Sequence, residues 1–348
     1  MAYTTINNGS LFMNPKIYTG DATQRTIDVG FQPDLVWGKL RSTTGNNWLW
    51  DSVRGANYYL KSNATDANNT GGVQDLNGFV SNGFTVGTGT RMNTNSETMA
   101  SWNWKAGTAV SGNTGGSGTY KTYTGSVNTT SGFSIIQYTG NGTAGHTIPH
   151  GLNSALGFIM VKKTSATANW VVSSTALGTG NYDQFLQLDT TIDQSNGDNV
   201  FNDTAPSSSV FTVGTAGDTN GDGVTYIAYC FAEKQGYSKF GSYTGNGSTD
   251  GTFVYTGFKP AFVMVKVTSA VNDWWIGDSK RPGYNTSALV LKPNATDSEN
   301  QSWSSHDLLS NGFKIRNADG AANSSGGNYI YMAFGQSLVG TNNIPNNA

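Results

Sequence analysis

Charge is scarce in this chain. Asp, Glu, Lys and Arg make up 12% of its 348 residues, and the 20 basic and 22 acidic side chains are scattered singly. A nucleic-acid partner would need a basic stripe, so none is expected. Cysteine is scarcer still: Cys230 alone excludes an internal disulfide and any cysteine-rich zinc site, and its setting in "YIAYCFA" reads as a small buried side chain. No apolar run approaches the roughly 18 residues of a membrane span, so no membrane insertion is expected. The opening "MAYTTINNGSLFMNPK" lacks the basic and apolar regions of a secretion signal, which reads as synthesis in a cytoplasm. The sequons at Asn63, Asn141, Asn285 and Asn294 then follow from an Asn/Thr-rich composition.

Glycine (45) and aromatics (9 Trp, 16 Tyr, 16 Phe) are plentiful instead, the opposite of the charge-rich, aromatic-poor balance of disorder. The phrase "YTGNG" occurs at Tyr138 and again at Tyr243, and aligning the chain with itself yields three copies of one unit. Each opens on a strand ending in YTG at Tyr18, Tyr138 or Tyr243. An apolar run follows, ending at Lys39, Lys162 or Lys266. Eight or nine residues later comes a tryptophan, taken as Trp48, Trp170 or Trp275. Phe84, Phe211 and Phe313 centre the next shared strand, and alternating aromatics close each copy at Trp104, Phe231 and Phe334.

Short runs rich in β-branched and aromatic residues, separated by Gly/Asn/Ser clusters and without any 3.6-residue stripe, read as strands. The expected fold is all-β, three tandem antiparallel β-sandwich modules of jelly-roll or lectin-like type. Residues 1–107 are assigned to an N-terminal arm and the first module, 108–132 to a flexible Gly/Ser/Thr-rich linker, 133–236 to the second module and 237–348 to the third.

Catalytic chemistry finds little support. His146 and His150 have an i, i+4 spacing, but Pro149 and Gly151 forbid the helix that would align them. His306 and Asp307 are strand neighbours and point to opposite faces. Asp51 and Asp278 share one place in the alignment, where the second copy has Ser173; an acid needed for sugar hydrolysis would not drop out of one copy. In "DTNGDGVTY", Asp218, Asn220 and Asp222 alternate ahead of Gly223 like the first half of a calcium loop. The bidentate acid of such a loop is missing, with Tyr229 in its place. No cofactor is expected beyond this weak calcium candidate. Exposed Trp48, Trp170 and Trp275 would offer apolar ring faces to a sugar, with Asn and Asp reading its hydroxyls; in the core they would be packing residues.

The phrases "GFQPDLVWGK", "SNGFTVG", "AGHTIPHGL", "YIAYCFAEKQGYSKFGSYTGNG", "GFKPAFVMVK" and "YIYMAF" together resemble a repeat family of tailed bacteriophages of marine bacteria, over nearly the whole chain. The resemblance implies a virion structural protein with concanavalin A-like modules and carries over no catalytic or binding residue. It departs from the family at Gly38, which replaces a β-branched residue, and at "MAFGQS". The expected role is therefore a non-enzymatic tail fibre or tip protein contacting host surface glycan, with capsid decoration as the alternative and a polysaccharide depolymerase as a remote one. Other virion proteins would be its partners. A homotrimer is expected to protect sheet edges, with the arm reaching a neighbouring chain or the particle.

Overall fold

Leu35–Leu40, "LVWGKL", is buried along its whole length, which a strand achieves only when both faces of its sheet are covered. This is the organising fact of the fold. The computed structural model describes residues 3–71, 74–282, 285, 287, 289–299 and 306–342.

The first third of the chain forms β1 (Met13–Thr19), β2 (Arg25–Asp28), β3 (Leu35–Leu40), β4 (Asn47–Asp51), β5 (Leu60–Lys61), β6 (Leu76–Val80), β7 (Gly83–Val86) and β8 (Thr98–Trp104). They make a large sheet, β1-β8-β3-β4-β5, and a small one, β2-β7-β6. The second third adds β9 (Thr108–Asn113), β10 (Gly115–Gly116), β11 (Thr122–Asn128), β12 (Phe133–Thr139), β13 (His146–Pro149), β14 (Phe158–Lys163), β15 (Val171–Ser174), β16 (Gln184–Gln187), β17 (Ser195–Asn196), β18 (Val210–Val213) and β19 (Thr225–Phe231). Their large sheet runs β17-β16-β15-β14-β19-β12-β11-β9 and the small one β10-β13-β18. The last third contributes β20 (Ser238–Thr244), β21 (Phe253–Tyr255), β22 (Lys259–Val267), β23 (Trp275–Asp278), β24 (His306–Leu309), β25 (Gly312–Ile315) and β26 (Asn328–Gln336), arranged as β20-β26-β22-β23 and β21-β25-β24. All ladders are antiparallel, and each large sheet packs against its small one as a β-sandwich.

Strand alternation divides the large sheets between two cores. In β19, Tyr226, Ala228 and Cys230 face the sandwich interior, whereas Ile227, Tyr229 and Phe231 face the other way. In β26, Tyr329, Tyr331 and Ala333 likewise alternate with Ile330, Met332 and Phe334. The outward sets of all three large sheets, including Trp37, Trp102 and Trp104 of β3 and β8, form one central aromatic core. There Trp104 meets Phe231, Phe262 and Phe334 edge-on at 5.4–6.4 Å.

The three repeats close into a ring through equivalent contacts. Trp170 Nε1 of the second repeat donates to Lys61 O of the first (2.8 Å), and Trp274 Nε1 of the third donates to Gln187 O of the second (3.0 Å). Asn47 Nδ2 of the first donates to Lys292 O (3.1 Å) and Ala295 O (2.8 Å) of the third. The recurring lysines follow the same circuit: Lys162 Nζ reaches Thr65 O (3.0 Å), Lys266 Nζ reaches Thr191 O (3.1 Å) and Lys39 Nζ reaches Ala295 O (3.2 Å). Head-to-tail contacts that close after three copies describe a threefold ring, here within one chain.

One expectation changes. Residues 108–132 are no tether: β9 and β11 form a hairpin that adds to the edge of β12, with Thr122–Val127 paired to Thr108–Asn113. Asp34 ties it to the first repeat by accepting from Ser126 Oγ (3.1 Å) and Ala106 N (2.8 Å). Cross-strand pairing outweighs the flexible composition. The described part of the N-terminal arm folds back on its own third repeat, where Tyr3 Oη donates to Gly257 O (2.9 Å), Gly9 N donates to Gln336 Oε1 (2.5 Å) and Ile6 enters the central core. Met1 and Ala2 lie outside the described residues.

Candidate functional site

The YTG phrase builds a clamp that recurs three times. Tyr18, Tyr138 and Tyr243 each donate their hydroxyl at 2.7 Å to a carbonyl, those of Met92, Thr219 and Ala322. The next residue is always a buried asparagine: Asn93, Asn220 or Asn323. Its Oδ1 accepts from the backbone N–H that follows YTG, at Asp21 (3.1 Å), Asn141 (2.9 Å) and Asn246 (3.0 Å). Its Nδ2 donates to two carbonyls, for Asn220 those of Thr143 (2.9 Å) and Gly214 (2.6 Å). The glycine is required by close approach: a Cβ on Gly20, Gly140 or Gly245 would run into the carbonyl one residue past that asparagine.

The calcium candidate therefore separates into unrelated roles. Asn220 has its amide committed to the clamp and to His146 Nδ1 (2.9 Å), Asp222 pairs with Lys121 (2.9 Å), and Asp218 faces Lys163 (3.8 Å). Among the described residues no group of three or more His, Cys, Asp and Glu side chains is placed to hold a metal ion.

The three tryptophans proposed for sugar contact are buried. Trp48 lies in the sandwich core of the first repeat and is 6% exposed; Trp275 lies in that of the third and Trp170 in the central core, both 0% exposed. No ring face is left for a ligand. They are also not equivalent. Gly38, Val161 and Val265 precede the recurring lysine and pair with Trp48, Val171 and Trp275, so the true counterparts of Trp170 are Asn47 and Trp274. A one-residue slip in a strand moves a side chain to the opposite face.

The same register makes Ser174, not Ser173, the counterpart of Asp51 and Asp278, opposite Phe158, Leu35 and Phe262. Both carboxylates are buried and paired. Arg54 Nε donates to Asp51 Oδ2 and Arg281 Nε to Asp278 Oδ2, each at 2.6 Å. Each also accepts a donor from the next repeat around the ring, Tyr229 Oη for Asp51 (2.7 Å) and Trp102 Nε1 for Asp278 (2.9 Å). Burial acts to raise the Asp278 carboxyl, but Arg281 and Trp102 outweigh it and hold the group below its ordinary value. Ser174 has neither partner: Leu177 stands where the arginines stand, and Met332 takes the strand position of Tyr229 and Trp102. An ion pair with its donor is replaced as a set by a serine, whose hydroxyl donates to Gly157 O (2.8 Å), and two apolar residues.

The histidines are internal too. His146 sits in β13 between Asn220 and Thr114 Oγ1 (2.6 Å), its pKa lowered by burial against the opposing hydrogen bond to Asn220. Burial lowers His150 to about 4. His306 packs on Trp275 with ring centroids 5.2 Å apart, while Asp307 turns to Arg316 (2.5 Å). Burial drives the Cys230 thiol far above its ordinary value, so it is inert.

Two surface features went unnoticed in the sequence. Phe253 and Tyr255, on one face of edge strand β21, are 43% and 54% exposed, and Lys239 lies over the Tyr255 ring at 5.9 Å. The equivalent outward positions are Thr26 and Asp28 in the first repeat and Thr147 and Pro149 in the second. The second feature is a cleft of about 410 Å³ between the third and first repeats, lined by Met13, Pro15, Lys259, Pro260, Ser279 and Lys280 among others.

Residues 8–337 match the family model described as a domain of unknown function, DUF7483. The chain belongs to this family. The match runs unbroken through all three repeats, in keeping with a ring whose central core draws on each of them. Comparisons with curated proteins and with solved structures return no match.

Proposed function

We propose that this DUF7483 chain is a non-enzymatic structural protein on the exterior of a bacteriophage particle, tail-associated, where it contacts host surface glycan. The observation that carries the glycan contact is the exposed pair Phe253 and Tyr255. Two aromatic faces two residues apart on a strand suit stacking on sugar rings, and the third repeat alone has them. The non-enzymatic reading is supported by Asp51 and Asp278, the recurring acids, whose oxygens are occupied by Arg54, Tyr229, Arg281 and Trp102. Placement on a phage rests on the phrases shared with the phage repeat family.

Capsid decoration is the second reading, favoured by the threefold ring itself, which would match a threefold position on a shell. A homotrimer is part of this reading, with the arm also bound within its own chain through Tyr3 and Gly9. The test is made on purified particles. Quantitative mass spectrometry should find a copy number in threes, sixes or twelves for a tail protein, whereas tens to hundreds would indicate the capsid and absence would refute the virion reading. Phe253→Ala/Tyr255→Ala should leave the melting temperature unchanged and abolish adsorption; unchanged adsorption would refute the glycan contact.

A further inference from the structure

The ring makes it possible to compare one junction with another inside the same chain. Ala261 and Lys280 on the wall of the third–first cleft correspond by register to Asp34 and Val53, which line a cleft of about 480 Å³ between the first and second repeats. At the second–third junction the Ala261 position is Gly157, and the ring of Phe240 lies where its side chain would be. The three junctions have thus diverged: one cleft holds a buried carboxylate, one position is filled by an aromatic ring, and one cleft is open and cationic.

The open cleft has the chemistry of a ligand site. Lys259 and Lys280 are exposed at its wall, Ser279 and Asn8 add hydrogen-bonding groups, and among the described residues no carboxylate lines it. Met13, Pro15 and Pro260 also line it, and all three are buried. A concave space of a few hundred Å³ that is mostly apolar, with a few convergent polar groups, is the usual form of a small-ligand pocket. In a chain with net charge −2, two lysines facing one carboxylate-free cleft select an anion. We propose that this cleft binds an acidic sugar, its carboxylate held by Lys259 and Lys280 and its hydroxyls by Ser279 and Asn8. The proposal rests on the glycan reading above and names the class of glycan.

The test is calorimetric titration of the full chain with a galacturonic acid oligosaccharide, a neutral glucose oligosaccharide of equal length, and sodium sulfate. The uronate should bind, more weakly as salt rises, and the neutral oligosaccharide about tenfold or more less tightly. Lys259→Gln/Lys280→Val, which installs the residues of the first repeat at two exposed positions, should reduce uronate affinity by a similar factor with an unchanged melting temperature. Equal binding of the neutral sugar, unchanged affinity in the double variant, or no uronate binding would overturn the proposal. Sulfate binding as tightly as the uronate would overturn its sugar part. Because the measurement uses purified protein, its failure is separable from failure of the virion reading, which is decided by copy number on particles.

Discussion

Tyr229 of the second repeat donates its hydroxyl to Asp51 of the first at 2.7 Å, across the central core, on the carboxylate oxygen that also receives Arg54. Trp102 does the same for Asp278, whereas Ser174 is matched by Leu177 and Met332. The three positions are interchangeable as sets and not singly. Arg54→Leu should therefore cost about 3–5 kcal/mol by leaving a buried carboxylate without its cation. The triple variant Asp51→Ser/Arg54→Leu/Tyr229→Met should recover most of that loss. Urea denaturation of both checks the claim, and a triple variant less stable than the single one would contradict it.

Asp189 Oδ1 accepts from Trp170 N at 3.0 Å, as Asn63 and Asn294 accept from Asn47 N and Trp274 N. Burial raises the carboxyl to about 6. Between the unfolded value near 4 and pH 6 the folded state binds the extra proton, so stability falls as pH rises through that window. Asp189→Asn keeps the acceptor and removes the charge. It should stabilise the protein by about 1–2 kcal/mol at pH 7 and flatten this part of the pH profile.

Lys39, Lys162 and Lys266 are held by backbone carbonyls around the ring, and burial lowers each to about 8. The unfolded lysines stay protonated up to about pH 10.4, so between pH 8 and 10 the unfolded chain binds more protons and stability rises with pH. Above pH 10 the trend reverses, because buried Tyr138, Tyr182 and Tyr229 resist ionising until the chain unfolds. Stability measured by denaturant at pH 7.5 and 9.5 should be higher at 9.5. Lys162→Met should reduce that increment and lower stability overall by about 1–3 kcal/mol, because Thr65 O and Ala168 O lose their donor.

Gly38 illustrates what can be read from the chain and what cannot. As a departure from the β-branched residue at its counterparts, Val161 and Val265, it is visible in the sequence. Its reason lies across the sandwich, where Met92 fills the space a side chain at Gly38 would need, while the positions equivalent to Met92 in the other repeats are the smaller Thr219 and Ala322. The repeat, the strands and the alternating aromatics were legible because period-2 burial writes itself along each strand. The closing aromatics serve two cores, and nothing in one strand says that its second face meets another repeat. The tryptophans were aligned by residue type, but a constant spacing of eight from Lys39, Lys162 and Lys266 leads to Asn47, Trp170 and Trp274. The asparagine clamp is hidden by its distance from YTG, and in the second repeat its Asn220 falls within the weak calcium candidate.

The ring with a shared core is tested most directly by calorimetry of Trp170→Ala. Trp170 is fully buried in the central core, stacked on Tyr229 at 6.1 Å and bonded to Lys61 O of the first repeat. Its loss should cost about 3–5 kcal/mol. The prediction is one cooperative transition for the whole chain, moved to lower temperature in the variant. An early transition confined to the second repeat, with the first and third melting at the wild-type temperature, would contradict it.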